Sequence, residues 1–64
     1  PDGSVVGIEV KATASPSFAD ARHLAWLRDS LGGLFAAGVV FHTGPRGFRL
    51  GDRIAALPIS ALWS

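Results

Sequence analysis

Residues 5–15 read VVGIEVKATAS, a β-branched run that carries a glutamate and a lysine two positions apart. Valine and isoleucine favour extended backbone, so the run predicts a strand over residues 5–12. Charged side chains inside such a strand need a reason, because a buried charge without a partner is costly. The position of these two charges therefore bears on both the fold and the function.

The predicted strand has two faces of different character, because successive strand residues point to opposite sides. One face is wholly apolar and is expected to pack on a helix; it consists of Val6, Ile8, Val10 and Ala12. The other carries Glu9 and Lys11. Two interpretations of this pair are open. It is a solvated face whose charges pair with neighbours, or the carboxylate holds a divalent cation while the ammonium orients a water or offsets charge on a phosphate.

A helix is predicted over residues 16–31. Ser15 or Ser17 can cap its first turn, and the helix is expected to end at Gly32-Gly33. Its core face follows the helical period and consists of Phe18, Ala21, Leu24, Ala25, Leu27 and Leu31. Trp26 lies opposite that face with Arg22 nearby, and is either an interface residue or a tryptophan lying flat on the helix surface.

Two further strands are predicted, over residues 35–43 and 53–58. The stretch FAAGVVFH is almost continuously apolar, which is typical of a strand buried on both faces. Strand, helix and buried strand in succession indicate a parallel crossover. Residues 43–52 are expected to form a turn-rich connection, and SALWS a terminal turn from which Trp63 folds back onto the sheet. The fold class is α/β, with β-α-β-β order, a mixed sheet and one main helix.

Length and composition limit the classes of function. The chain has 64 residues, 48% of them hydrophobic, with no cysteine and a formal net charge of +1. This length allows one marginal domain, and the absence of cysteine fits the cytoplasm. The weak charge does not predict a nucleic-acid footprint, and no apolar run approaches the roughly 20 residues of a membrane span. The apolar excess suggests contact with something outside the chain.

The sequence begins PDGS, and Asp2-Gly3 before an apolar strand is typical of a hairpin turn. A hairpin needs a strand in front of its turn, so we expect residues 1–64 to be a single partial domain, the C-terminal half of a larger one. The edge of the strand 5–12 is then unpaired. We expect that edge to cause self-association, and the preceding part of the parent chain to be the natural partner.

Histidine and arginine supply the remaining candidates. His42 ends a predicted strand, where open α/β sheets place their sites, and is expected near the charged pair. A structural histidine bonded to backbone is the alternative. Arg46, Arg49 and Arg53 surround Phe48 and form a basic-aromatic cluster that can contact nucleic acid. The alternative is that these arginines face solvent or pair with acids.

Three stretches carry a resemblance to a known family: GIEVKA (7–12), GVVFHTG (38–44) and LPISALW (57–63). Together with the residues between them they resemble the C-terminal end of bacterial and archaeal predicted AAA+ ATPases. In those proteins a P-loop ATPase module precedes a C-terminal domain of unknown function. The chain itself has no G-x-x-x-x-G-K-[ST] motif, so ATP is expected only in the ATPase module.

The resemblance also implies a PD-(D/E)XK, restriction-endonuclease-like fold, of which this chain would be a fragment. Glu9 then matches the second acidic metal ligand and Lys11 the catalytic lysine, with Mg²⁺ or Mn²⁺ held in the full-length domain. The first aspartate ligand has no match, because Asp2 lies in the predicted turn. No cofactor is therefore expected in the fragment itself.

Three functions remain open at this point. The first is an accessory C-terminal domain of a cytoplasmic ATPase, inactive on its own and without a membrane partner. The second is a metal-dependent DNA nuclease that lacks its N-terminal half. The third is an oligomerisation or protein-interaction module, in which the glutamate and lysine form only a salt-bridged strand face.

Overall fold

One main helix lies on one side of a four-stranded sheet. The computed structural model describes residues 3–62, so Asp2 and Trp63, to which the sequence assigned a turn and a core contact, lie outside the described residues. The strands are β1 (Val5–Val10), β2 (Phe35–His42), β3 (Phe48–Gly51) and β4 (Ile54–Pro58). The helix α1 is Arg22–Leu31, and 3₁₀ turns lie at Phe18–Ala21, Gly32–Leu34 and Ile59–Leu62.

The sheet is mixed, with the spatial order β1-β2-β4-β3. β1, β2 and β4 are parallel neighbours, and β3 runs antiparallel to β4 at the far edge. The α/β class and the parallel pairing of β1 with β2 are thereby confirmed. The expectation of a connection without a strand over residues 43–52 was wrong, because β3 forms there. β3 has four residues and an irregular register, too short a segment for a period-two pattern to stand out.

The helical segment begins with a 3₁₀ turn. The backbone N–H of Ser17 donates a 2.8 Å hydrogen bond to the Asp20 carboxylate, as expected of Ser17 as the cap. A 3₁₀ helix has three residues per turn, whereas the predicted core face assumed the α-helical period. Phe18 therefore does not line up with the core face and is 75% exposed. The placement of Phe18 in the core was therefore wrong. α1 ends as expected at Gly32, whose φ of 56° glycine adopts without strain.

The core lies between α1 and the face of the sheet that carries Gly7 and Gly38. These two glycines are side by side on β1 and β2. A Cβ atom on Gly7 would lie 2.6 Å from Leu24 Cδ2, and one on Gly38 would lie 2.9 Å from Phe35 Cζ. The two missing side chains therefore leave the space that Leu24 and Phe35 fill. The buried core residues are Ala21, Leu24, Phe35, Val40, Leu50, Ile54 and Ala56.

The opposite side of the sheet, here called the back face, is not covered by α1. The registers place on it Val6, Ile8, Val10, Ala37, Val39, Phe41, Arg49, Ala55 and Leu57. Val6, Ile8 and Val10 are 58%, 64% and 64% exposed. The prediction that they pack on a helix was wrong, because α1 lies on the face with the glycines and the charges.

The expectation that β2 is buried on both faces holds for only part of the strand. Its helix-side residues Gly38, Val40 and His42 are buried. On the back face Phe41 is buried as well, whereas Ala37 and Val39 are half-buried. A run of apolar residues looks the same in sequence whether one face or both are covered. The helix count carries the missing information, since a single α-helix of ten residues can cover only one side of this sheet.

Candidate functional site

Glu9, Lys11 and His42 share one face of the sheet at the carboxyl ends of β1 and β2. Glu9 lies beside Val40 in the parallel register. The backbone N–H of Lys11 donates a 2.9 Å hydrogen bond to the carbonyl of Phe41, which sets Lys11 abreast of His42. The fold therefore brings these three residues to neighbouring positions on the helix side of the sheet.

The charged pair is half-buried and forms no salt bridge with itself. Within residues 3–62, neither the Glu9 carboxylate nor the Lys11 ammonium makes a hydrogen bond or an ion pair. Half-buried charges without internal partners remain able to bind groups from outside, and the carboxylate accepts hydrogen bonds while the ammonium donates them. The pair thus offers one donor group and one acceptor group at the end of β1.

His42 is packed into the sheet and is only 1% exposed. Its Nδ1 accepts a 3.0 Å hydrogen bond from the backbone N–H of Gly44, so the proton of the neutral ring lies on Nε2. Nε2 is buried and has no hydrogen-bond partner among residues 3–62. The ring also lies against Phe48, at 5.7 Å between centroids. A ligand could reach His42 only if its neighbours moved.

Two loops are locked together beside these residues. The backbone N–H of Thr43 donates a 2.9 Å hydrogen bond to the carbonyl of Thr13. Ala14 follows Thr13 in the other loop. Its carbonyl oxygen lies so close to Gly44 that a Cβ atom on Gly44 would overlap it. This crossing fixes the end of β1 against the end of β2, and with it the positions of Lys11 and His42.

The described residues do not form a site that fits a divalent cation. Mg²⁺ needs near-octahedral coordination by oxygen, and Glu9 is the one carboxylate on this part of the sheet. No group of three potential metal ligands lies together in residues 3–62. Asp2, which the sequence places in a predicted turn, lies outside that range. The side chains of residues 3–62 therefore supply a charged pair and no group of three metal ligands.

The three predicted nucleic-acid contacts differ in their surroundings, because Arg53 is held by internal hydrogen bonds. Arg53, with a φ of 60°, uses one guanidinium nitrogen to donate to the carbonyls of Gly32 and Phe35, at 3.0 and 2.7 Å. Its Nε donates to the Asp52 carboxylate at 3.1 Å. These bonds tie the end of α1 to the start of β2, which is a structural role. Arg46 and Arg49 are exposed and make no ion pair within the described residues, so their contact with nucleic acid stays a prediction.

The back face contains an open groove of about 450 Å³. Its floor includes Ala37, Val39 and Ala55, and Phe48 and Arg49 also line it. The groove is therefore largely apolar and open, and two arginines line it: Arg49, and Arg53, which is paired with Asp52. This surface was not expected from the sequence, because the apolar face of β1 was predicted to pack in the core.

Trp26 marks a second exposed surface, on the far side of the molecule. It is 68% exposed on the outer side of α1, as expected from the helical period. Arg22 is exposed on the same helix. Their role in an interface stays a prediction.

Comparison with known proteins gives a family for the chain. A sequence-family model described as a domain of unknown function, DUF4143, matches residues 1–62. No curated protein and no solved structure matches the chain. None of the helices in the described part of the chain has the length and apolar character needed to span a bilayer.

Proposed function

From the premise that the chain belongs to the DUF4143 family of domains of unknown function, we propose that it is an accessory domain of a cytoplasmic AAA+ ATPase, with a nuclease-like fold and no activity of its own. Domains of this family are generally found with ATPase-like proteins. The chain lacks a P-loop motif, so ATP binds in another part of the protein. The contribution of this domain is then to hold other parts in place.

The observation that carries the proposal is the exposed apolar surface of β1 on the back face, which α1 does not cover. Parallel sheets occur almost only with both faces covered, and here β1, β2 and β4 are parallel with α1 on one side. Val6, Ile8 and Val10 remain more than half exposed. Contiguous apolar surface of this kind marks an interaction site.

The occupant we propose is an amphipathic segment of the ATPase protein itself. Small side chains at Ala37 and Ala55 on the groove floor allow a helix to approach the sheet closely. Arg49 makes no ion pair within residues 3–62, and its charge favours a segment with an acidic residue on that side. The domain is then joined to its ATPase by apolar burial, with one ion pair that orients the contact.

The test measures binding of the chain to an ATPase module taken from a protein that carries this type of domain. Val39→Asn introduces an amide on the groove floor, and Arg49→Glu reverses the charge. Each is expected to weaken binding about tenfold or more, since roughly 1.4 kcal/mol corresponds to a factor of ten. Trp26→Ala, on the far side of the molecule, is the matched control and should bind like the wild type.

Circular dichroism must first show that each variant is folded. Loss of binding in Trp26→Ala with no effect of the back-face variants would move the interface to the outer side of α1. Equal binding by all variants would contradict docking on either surface.

A second candidate, metal-dependent DNA cleavage, is favoured by the neighbouring positions of Glu9, Lys11 and His42. They lie at the carboxyl ends of parallel strands, where open α/β sheets place their sites. The restriction-endonuclease-like assignment gives Glu9 the part of a Mg²⁺ or Mn²⁺ ligand and Lys11 that of the catalytic lysine. Because the described residues do not fit such a cation, no hydrolytic step follows from them alone.

Nuclease activity is tested by incubating the chain, extended at its N-terminus with the sequence of the parent protein, with linear DNA and Mn²⁺. Cleavage that disappears in both Glu9→Gln and Lys11→Met, and persists in Arg22→Ala, would establish the nuclease. Absence of cleavage by a folded protein would leave the accessory role.

A further inference from the structure

Two arginines line the back-face groove, whose floor is apolar. Arg49 is exposed and makes no ion pair within residues 3–62. In the register of β3 and β4 it lies opposite Ala55, which follows Arg53 by two positions. Arg53 also lines the groove, and its side chain is 36% exposed. An anionic group that enters the groove therefore meets positive charge from two side chains.

The guanidinium of Arg53 is held in one orientation by the fold. The backbone of Arg53 has a φ of 60°, a left-handed conformation that costs energy for a residue with a Cβ atom. Its Nη1 donates hydrogen bonds to the carbonyls of Gly32 and Phe35, which fixes the position of the side chain. A group that is already fixed loses little freedom when it binds a ligand. Arg53 is therefore preorganised to bind an anion.

Asp52 occupies part of the guanidinium edge that remains to Arg53. The Asp52 carboxylate accepts a 3.1 Å hydrogen bond from Nε, and Nη2 donates no hydrogen bond within the described residues. A carboxylate can accept from two guanidinium nitrogens at once. A ligand carboxylate that binds both Nε and Nη2 takes the Nε donor away from Asp52. The Asp52 side chain is 72% exposed, so its carboxylate can return to water.

We propose that a single carboxylate of the docked segment binds between Arg49 and Arg53, and that Asp52 competes with it. The inference rests on the proposed function, because the carboxylate belongs to an aspartate or glutamate of the amphipathic segment of the ATPase protein. Without the segment, Asp52 neutralises Arg53. When the segment docks, its carboxylate replaces that of Asp52 at Arg53 and also contacts Arg49. A neutral ligand cannot replace Asp52, so the pair selects for acidic segments.

The chain contains a second pair of the same geometry, which supplies a matched control. Arg28 donates from Nε to the Asp29 carboxylate at 3.0 Å and from Nη1 to the carbonyl of Asp52 at 3.1 Å. The Arg28 side chain is only 19% exposed and does not line the groove. Asp29 is as exposed as Asp52, so Asp29→Asn and Asp52→Asn remove the same charge from similar surroundings. Only Asp52→Asn should change binding in the groove.

Titration with hexanoate, followed by NMR, tests the site without the partner. Hexanoate joins an apolar chain to one carboxylate, and hexanamide has the same shape without the charge. Hexanoate is expected to shift the amide signals of Val39 and Ala55, and hexanamide should bind more weakly. Asp52→Asn should bind hexanoate about twofold to fivefold more tightly than the wild type, the factor that corresponds to an exposed ion pair. Equal binding of hexanoate and hexanamide would overturn the proposal, as would equal hexanoate affinity of Asp52→Asn and Asp29→Asn.

Binding of the ATPase module separates this inference from the proposed function. Asp52→Asn, once circular dichroism shows that it is folded, is expected to bind the module about twofold to fivefold more tightly than Asp29→Asn. Hexanoate binding without any binding of the module would support the carboxylate site and reject the proposed function. Module binding that Arg49→Glu weakens, with equal affinities of the two asparagine variants, would keep the proposed function and overturn the inference.

Discussion

The two faces of this sheet are built from the same strands but differ in how far α1 buries them. On the helix side, Gly7 and Gly38 leave a space that Leu24 and Phe35 fill, and the residues around them are buried. On the back face, valines and an isoleucine of β1 remain more than half exposed. The side with less apolar surface on β1 is therefore the side that packs. Close approach by α1, and not the hydrophobicity of each face, decides which side the helix covers.

This comparison separates two uses of apolar surface. Helix-side residues stabilise the chain itself, because their burial is complete within it. The exposed back-face residues of β1 contribute little to that stability, and their apolar area is available to another molecule. Substitutions on the two faces should therefore have different readouts, one in folding and one in association.

The largest expected effect is that of Leu24→Ala. Leu24 is 3% exposed and fills the space above Gly7, so its truncation should cost about 2–5 kcal/mol of unfolding free energy. Ile8→Ala removes a similar side chain from the back face and should cost about 0.5 kcal/mol or less. Urea unfolding followed by circular dichroism measures both. Equal losses would break the comparison between the two faces.

Two arginines allow the same comparison for polar contacts. Arg53→Ala removes the bonds to the Gly32 and Phe35 carbonyls and should cost about 1.5–3 kcal/mol, the range for hydrogen bonds to charged groups. Arg53→Lys should recover only part of this, because an ammonium lacks the planar fork of the guanidinium. Arg49→Ala, on the back face, should leave the urea midpoint nearly unchanged. A destabilised Arg49→Ala variant would show that the back face is structural.

Adding one methyl group on the helix side tests the close approach directly. In Gly7→Ala the new Cβ would lie 2.6 Å from Leu24 Cδ2, and overpacking should cost about 1–3 kcal/mol. Gly33→Ala is the control, since nothing lies within 4 Å of a Cβ atom there. The double variant Gly7→Ala with Leu24→Ala should lose less unfolding free energy than the sum of the two single variants. The shortened side chain at position 24 makes room for the new methyl group, which in turn fills part of the cavity. Additive losses would indicate that the two residues do not touch.

The smallest expected change in stability is that of Val10→Ser. Val10 is 64% exposed, so the urea midpoint should move little, with a change of about 0.5 kcal/mol or less. Binding of a hydrophobic dye such as ANS should fall, because the variant interrupts the apolar stripe of β1. Val40→Ser, buried on the helix side, should instead unfold the chain more easily and raise dye binding. Unchanged dye fluorescence in folded Val10→Ser would show that the stripe is already covered.

Part of this architecture follows from the sequence alone. The β-branched runs of β1 and β2, the cap at Ser17 and the stop at Gly32 all gave local signals strong enough to locate elements. β3 gave no such signal, because four residues are too few for a clear period-two pattern. Its pairing with β4 cannot be read from sequence periodicity. The wrong face of β1 was assigned to the core because alternation tells which residues share a face and not which element covers it.

The candidate site, too, was predictable from the sequence only in part. The spacing of Glu9 and Lys11 placed them on one face, and strand order then set them near His42. Neither signal revealed that His42 is enclosed or that Arg53 is occupied by carbonyls, since both facts depend on long-range packing. The exposure of the back face could have been predicted from the sequence, because one main helix can cover only one face of a parallel sheet.

The central claim is that α1 covers the glycine side of β1 and leaves the valine side bare. Methyl NMR in the presence of a soluble paramagnetic chelate tests it, because the chelate broadens signals of solvent-exposed groups. We expect strong broadening for the methyl groups of Val6, Ile8 and Val10, and protection for those of Leu24 and Val40. Protected β1 methyl groups that show nuclear Overhauser contacts to Leu24 would contradict the account and place the helix on the other face.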